Sequence, residues 1–398
     1  MINFFKKKRF GFLLFFFLQL LLTQYLNASD VFGDDHLGRK QSFKHPKFGD
    51  IFGIGIFSIS NFVGDSKNRL EKAWEGAKYY RNKILPEEGI NPDEAYSKLD
   101  KLWRENHPDI ACQYDTQMAR EEPSIPLITH SIWLTNMDKP TELTDHFLGY
   151  YKHSCKMNST KVGWKHYLWV QDRNKLPKTV RELEAVGVQI KEVYRELSDE
   201  KDFCGVKPFF DQELAESKFG RAADILRCVI LHKTGGIYRD IDLLMTRPIT
   251  GLALAYDFFA GIEYDYSYPC NAMMGARPAH PVMENYLEIM NRNFNPQTTP
   301  KYITYFNTGY NQKDRDFYQT LCLTGPIALS IALKKTLIEQ GPMAFGVPIK
   351  EQSDGRRDRN IIFPPEVFFG QTQGRDGCSY GFHAFAGTWQ LPEFGSKG

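Results

Sequence analysis

The sequence predicts an α/β fold built on a mostly parallel central sheet, preceded by a helical N-terminal lobe. Three observations carry this. From Ile125 onward, short apolar segments of strand character alternate with stretches of helical period, the pattern of a doubly wound parallel sheet. Between Arg221 and Lys233, Ala222, Ile225, Leu226, Val229 and Ile230 fall on one stripe at 3.6-residue spacing. That helix then runs straight into GGIYRDIDLLM (residues 235–245), which reads as a buried strand. Ligands of such sheets bind beyond the carboxyl ends of the strands.

Taking the elements in order, residues 1–28 carry a basic cluster (Lys6 to Arg9), the apolar run GFLLFFFLQLLL and a small residue at Ala28, the features of a cleaved signal peptide or a short signal-anchor. A spanning helix needs about 20 apolar residues, and this run is broken at Gln19. Export, to the periplasm or the exterior, is therefore expected. A retained segment would instead make a type II membrane protein of the Golgi or ER lumen, and only then is a membrane a partner. Residues 29–120 form the N-terminal segment. After a polar stretch to about Val63, the pattern becomes helical, with Leu70, Ala73, Trp74, Ala77 and Tyr80 on one face until Pro86 and EEGINPDEA interrupt it. The basic positions there (Lys67, Arg69, Lys72, Lys78, Arg81) read as a solvated face.

Residues 121–398 form the sheet-containing domain. IPLITHSIWLT, HYLWVQD (His166 to Asp172) and VQIKEVY (Val188 to Tyr194) are its first three strands, with KTVRELEAVG a helix before the third. In the helix Arg221 to Lys233, His232 and Lys233 suit the negative end of the dipole, and Gly235 is the stop signal. Asp224 and Arg227, three apart and opposite the stripe, read by themselves as a solvent-facing ion pair.

Composition narrows the chemistry. The chain has 398 residues, 42% of them hydrophobic, enough for one large or two ordinary domains. Lys+Arg 50 against Asp+Glu 48 leaves a formal charge of +2, so nucleic acid is not an expected partner. Aromatics at 14% suit sugar or base stacking and an aromatic-rich core equally. The 7 cysteines are scattered without a C-x-x-C pair, which argues against a zinc ribbon or thioredoxin site and leaves room for one or two bridges. Asn158-Ser-Thr160 is a glycosylation sequon that matters only in a eukaryotic secretory pathway.

The unusual feature is the pair Asp240 and Asp242. On one strand they share a face, ~7 Å apart, where like charges repel by roughly 2 kcal/mol at an effective dielectric near 20. A divalent cation, bound through carboxylates and substrate phosphates, offsets that repulsion and stabilises the charge of a departing diphosphate. Such a site is the donor site of a nucleotide-sugar transferase, with Ile241 turned to the core. A calcium loop does not fit, because Leu244 and Met245 stand at its later positions. A P-loop is absent from the sequence, and Gly53-Ile-Gly55 lacks the third glycine of a dinucleotide fingerprint. The bland alternative is an edge strand carrying charge against aggregation.

The context of the pair decides between these. AADILRCVILHKTGGIYRDIDLLM resembles the signature block of the DXD-containing sugar transferases of glycosyltransferase family 32, which includes outer-chain mannosyltransferases, and is similar to the glucosyltransferase domain of the large clostridial toxins. Asp224, Arg227, Gly235-Gly236, Tyr238 and Asp240/Asp242 stand at that family's spacing. IPLITHSIWLT resembles its first strand, CNAMMGARPAHPVME the block carrying an Asn near the donor, TGPIALS its T-G-P helix start, and GFHAFAGTWQ its closing segment. The likeness covers about Ile125 to Trp389.

The resemblance implies a GT-A-type, Rossmann-like nucleotide-sugar-binding fold that uses Mn²⁺ or Mg²⁺. It implies retaining transfer of a hexose from a UDP- or GDP-sugar to a glycan or protein acceptor. Asp242 would coordinate the metal directly, and Asp240 would bind sugar or ribose hydroxyls and reach the metal through water. Asp224 and Arg227 would hold the sugar and phosphates, Tyr238 would contact the diphosphate and Asn271 would lie near the donor. Thr388, where Ser is usual, and Trp389 would close over the β-phosphate. Trp133 would stack on the base, its alternative being a core position. His383 is either a late metal or phosphate ligand or a satisfied core histidine. Ala223 stands where the toxins have a ribose-contacting Ser, which removes that contact. Two other readings share the fold: a sugar-nucleotide or glycan-binding protein without turnover, and an exported effector that glycosylates a host protein.

Overall fold

In the computed structural model, described for residues 85–89, 121–262, 269–305, 312–340, 348–351, 357–363, 365–369 and 380–384, the expected alternation is present. All of these residues fall in one unit, residues 47–398. β1 (Ile128–Ile132), β2 (Lys165–Val170) and β3 (Gln189–Glu192) are parallel neighbours. Between β1 and β2 runs α1 (Asp145–Met157), whose first turn is capped by Thr144 accepting from the Phe147 amide. Between β2 and β3 runs α2 (Pro177–Glu184), with Pro at its first position, where no backbone N–H is needed. The two-residue period of β2 splits its side chains between two cores. Leu168 and Val170 join Leu148, Tyr151 and Leu183 on the α1–α2 side, while Trp169 joins the larger core on the other.

That larger core is centred on α4 (Phe219–Thr234), which follows α3 (Lys207–Ala215). Ala222, Ile225, Leu226, Val229 and Ile230 are buried as the stripe predicts. So are Arg221, Asp224 and Arg227, because α3 and α6 (Pro281–Phe294, after the short α5, Thr250–Ala255) cover the face that would otherwise meet water. Asp224 and Arg227 are thus a buried pair, which corrects the solvent-facing reading of those two residues taken alone. α7 (Lys301–Tyr305), α8 (Gln312–Leu323) and α9 (Pro326–Gln340) complete this layer.

Among the described residues the sheet has 8 strands in the order β3-β2-β1-β4-β7-β6-β9-β8. β4 is Gly236–Arg239, β6 Phe258–Ile262, β7 Pro269–Ala276, β8 Pro348–Glu351 and β9 Arg357–Phe363. Pairings β2–β3, β1–β2, β1–β4 and β6–β9 are parallel, whereas β4–β7, β6–β7 and β8–β9 are antiparallel. The parallel half reverses its winding between β1 and β4, a topological switch point, and both strands end at the same edge there. β5 (Leu243–Met245) lies outside this sheet and pairs antiparallel with β10 (Gly381–His383). The segment 235–245 is accordingly two strands joined by a turn at residues 240–242, closed by the Leu243 amide donating to the Asp240 carbonyl at 3.2 Å. This replaces the single continuous strand expected from its apolar pattern.

Gly235 and Gly236 make the passage from α4 into β4. Gly235 ends the helix with its amide on the Leu231 carbonyl, and Gly236 has φ +103°. A Cβ on Gly236 would meet the Ile128 carbonyl oxygen at 2.7 Å and His130 Nε2 at 2.8 Å. At the start of the described residues, Glu88 is buried and accepts from the Arg292 guanidinium and, at 2.6 Å, from the Tyr302 hydroxyl, tying this part of the N-terminal segment to α6 and α7. The proposed signal segment, most of the helical lobe, Thr388 and Trp389 lie outside the described residues. Among the described residues no helix is long and apolar enough to cross a membrane. Cys155, Cys204, Cys228 and Cys322 carry free thiols.

Gly236→Ala combines a disallowed φ with a backbone clash, so it is expected to cost about 2 kcal/mol or more of folding stability, read as a lower midpoint in denaturant unfolding.

Candidate functional site

The site is built outward from Arg227. Its guanidinium is buried, and burial alone would favour the neutral form. Tyr238, Asp240 and Asp224 outweigh that and hold it charged. Arg227 Nη2 lies 3.1 Å from Asp224 Oδ1, and Nη1 lies 3.4 Å from Asp240 Oδ1. Nη1 also donates to the Asn271 carbonyl at 2.7 Å, and the group stacks 4.3 Å over the Tyr238 ring. One side chain on α4 therefore binds the ends of β4 and β7 together.

Around it the remaining polar groups are satisfied. Asp224 accepts from Asn271 Nδ2 at 2.9 Å and from the Thr324 hydroxyl at 2.9 Å. Burial raises the Asp224 carboxyl to about 6, against the lowering pull of Arg227 and Thr324. The Tyr238 hydroxyl donates to Asp240 Oδ1 at 2.6 Å. Tyr286, on α6, donates to the Thr324 carbonyl at 2.5 Å and the Gly325 carbonyl at 3.0 Å, which fixes the start of α9 beside Asp224. Asp224, Arg227, Tyr238, Asp240 and Asn271, drawn from α4, β4 and β7, are thus brought into one network.

The carboxylates of Asp240 and Asp242 lie on the turn beyond β4. The Asp240 amide donates to Ala272 at 2.8 Å, and the Asp242 carbonyl accepts from Ala384 at 3.1 Å. The β5–β10 ribbon sets His383 opposite Leu243. His383 Nε2 comes 3.1 Å from Asp242 Oδ1 and 3.8 Å from Asp240 Oδ2. Burial lowers this imidazole, but the two carboxylates more than reverse it and bring it up to about 10. One ligand atom from each of Asp240, Asp242 and His383 lies within 4.8 Å of the others, a spacing that can close on one cation. Ile241, between the two carboxylates, is buried in the α1–α2 core with Trp133.

Trp133 follows β1 on the same sheet edge as Asp240, 6% exposed, with its indole N–H on the Thr141 carbonyl at 2.8 Å. Three further participants had weaker signals. Thr324 sits in the T-G-P segment, but nothing in the sequence pairs it with Asp224. Tyr286 is one aromatic of an amphipathic helix. Arg239, between Tyr238 and Asp240, is buried where an alternating strand pattern allows any residue.

Residues 94–259 match the family model described as a glycosyltransferase sugar-binding region containing a DXD motif. Toxin Afp18 of Yersinia ruckeri serotype O1 is 29% identical over 116 residues, which is 28% of this chain and 5% of that protein. An uncharacterized glycosyltransferase of Acanthamoeba polyphaga mimivirus is 27% identical over 163 residues, 40% of this chain and 53% of that protein. The chain thus spans about half or less of the curated relatives it matches. Among solved structures, the PaToxG glycosyltransferase is similar at a TM-score of 0.41 and 18% identity, over 63% of this chain and 82% of that one. The UDP-bound glycosyltransferase domain of the YGT toxin is similar at 0.41 and 12% identity, over 65% and 83%.

Because the folded chain holds the Asp224 proton up to about 6 against an ordinary 3.8, the stability this residue contributes is present below pH ~4 and lost as pH rises through ~6. Relative to Asp224→Asn, which does not titrate there, wild-type stability should fall by up to about 1.4 kcal/mol per pH unit across that window. Urea unfolding at stepped pH measures it.

Proposed function

We propose that this chain is a metal-dependent, retaining glycosyltransferase of GT-A type that takes a hexose from a nucleoside diphosphate sugar, with UDP or GDP as the nucleotide, and passes it to a glycan or protein hydroxyl. The single observation that carries the reading is the convergence of Asp240, Asp242 and His383 at the carboxyl end of β4, beside the buried Asp224–Arg227 pair, with both aspartates inside a segment matching a sugar-binding DXD family.

The donor set suits a divalent cation of the Mn²⁺ or Mg²⁺ class: two carboxylate oxygens for a hard ion and one imidazole nitrogen, which favours Mn²⁺ of the two. Asp240, Asp242 and His383 would hold it, and when bound it supplies Lewis-acid neutralisation of the leaving diphosphate. The chain's own groups do the rest. Arg227 brings a permanent positive charge to the phosphate side of the pocket, already oriented by Asp224 and Asn271. Asp224 and Asn271, whose amide donates to Asp224 and to the Tyr286 hydroxyl, offer acceptor oxygens to sugar hydroxyls, and Tyr238 orients Asp240. Trp133 at the neighbouring strand end would be the base-side wall, and the family resemblance gives Thr388 and Trp389, outside the described residues, the role of closing over the β-phosphate. Export through residues 1–28 would put the reaction outside the cytoplasm.

Incubated with a panel of UDP- and GDP-sugars, the protein should hydrolyse one donor in a Mn²⁺-dependent way. Asp242→Ala should lower that rate at least about a hundredfold, the scale of losing a group that stabilises developing charge, with its melting temperature preserved. If no donor is cleaved, or the variant cleaves as fast as wild type, the catalytic reading fails. Donor binding of normal affinity without turnover would point instead to a binding protein.

A further inference from the structure

The carboxylate turn is preceded by an arginine that makes no ion pair among the described residues. Arg239 is 1% exposed, and among the described residues no carboxylate lies within 4.0 Å of its guanidinium. Cζ stacks 4.4 Å over the Tyr151 ring of α1, and Nη1 donates to the Leu243 carbonyl at 3.3 Å. Nη2 is buried and meets no oxygen or nitrogen acceptor among the described residues, the Cys155 sulfur being the weak acceptor beside the guanidinium. The neighbouring titratable groups, Cys155, His166 and Tyr151, bring no negative charge, since burial raises the thiol and phenol and lowers the imidazole.

As fold glue this is a poor choice. A buried charge lacking a counter-ion, with one N–H left to a weak sulfur acceptor, costs more than an apolar side chain of equal length in the same space. What the arginine does instead is geometric. Its backbone precedes Asp240 and its side chain reaches the carbonyl of the residue after Asp242, so it spans the whole turn from beneath. The Ser131 hydroxyl holds the Arg239 carbonyl at 2.9 Å, and the Leu243 amide closes the turn from within at 3.2 Å. With its first residue and its last carbonyl both held, the turn has little freedom to separate its two carboxylates.

We infer that Arg239 is a positioning residue which, by strutting the 240–243 turn from Tyr151 to the Leu243 carbonyl, sets the affinity of the Asp240–Asp242–His383 group for its divalent cation. The inference rests on the metal reading above and adds to it a residue that touches neither cation nor donor. Groups supporting metal ligands are typically worth 10–100-fold in affinity when removed.

The test is Mn²⁺ binding to the full chain, followed by electron paramagnetic resonance, for wild type, Asp242→Asn, Arg239→Met and Arg239→Lys, alongside melting temperatures. Arg239→Met should weaken Mn²⁺ binding about 10-fold or more while melting at or above wild type, and Arg239→Lys should fall between. Unchanged affinity in Arg239→Met would overturn the inference. Tighter binding would also overturn it, because it would mean the arginine acts only as a repelling charge. A marked loss of melting temperature in Arg239→Met, or its failure to fold, together with wild-type affinity in Arg239→Lys, would make the residue structural and overturn it as well. Wild type that binds no Mn²⁺ would sink the metal reading itself, and this inference with it.

Discussion

Arg227 is the group on which the arrangement of this site depends. An arginine cannot shed its charge, so once α4 is buried on nearly every side the chain must surround the guanidinium with acceptors or lose the fold. Asp224, Asp240 and the Asn271 carbonyl meet that demand from three elements. Leaving such a charge without its partner costs about 3–5 kcal/mol, a large fraction of the 5–15 kcal/mol that typically holds a domain together. The same contacts that satisfy the arginine therefore fix where the end of β4 lies against α4 and β7. Binding geometry and folding are one constraint here.

Backbone requirements act on the same point. β4 enters the sheet immediately after a 16-residue helix, with no loop to absorb error, and the Gly235-Gly236 pair permits the abrupt change because a side chain at Gly236 would collide with β1. That close approach keeps β4 beside β1 at the switch of sheet winding, where an open α/β sheet has a crevice. The β5–β10 ribbon then returns a segment some 140 residues later in the chain to the same place, so that backbone pairing sets His383 opposite Leu243, with its ring against Phe369.

What the sequence disclosed follows from this division. Periodicity exposed the first strands and α4, because each buries one regular face. It misjudged the polar face of α4: Asp224 and Arg227 look exposed on a helical wheel, and only the packing of α3 and α6 over them makes them a buried pair. The apolar flow of GIYRDIDLLM hid the turn at 240–242, since Ile241 is buried in a turn as it would be in a strand. The family resemblance singles out Asp224, Arg227, Tyr238, Asp240 and Asn271, which the fold gathers into one network, and Asp242, which it sets beside His383. Thr324 and Tyr286 were beyond reach because their partners lie at separations of 38 to 100 residues with no local pattern to announce them.

The burial of the charges grades across the site, and the gradient carries a division of labour. Asp224 and Arg227 have side chains 8% and 7% exposed and are held by protein partners, whereas Asp242 is at 14% and Asp240 at 28%. Asp240 is divided between the two regimes. Its Oδ1 faces inward, held by the Tyr238 hydroxyl at 2.6 Å and Arg227 at 3.4 Å, while Oδ2 faces His383 at 3.8 Å. One oxygen is committed to the frame, leaving Oδ2 to face His383. Asp242, whose Oδ1 lies nearer the imidazole at 3.1 Å, has no such inward tie to Arg227. The asymmetry separates the two carboxylates by geometry: Asp240 joins the charge-satisfied interior around Arg227 to the His383 side, whereas Asp242 lies nearest the imidazole.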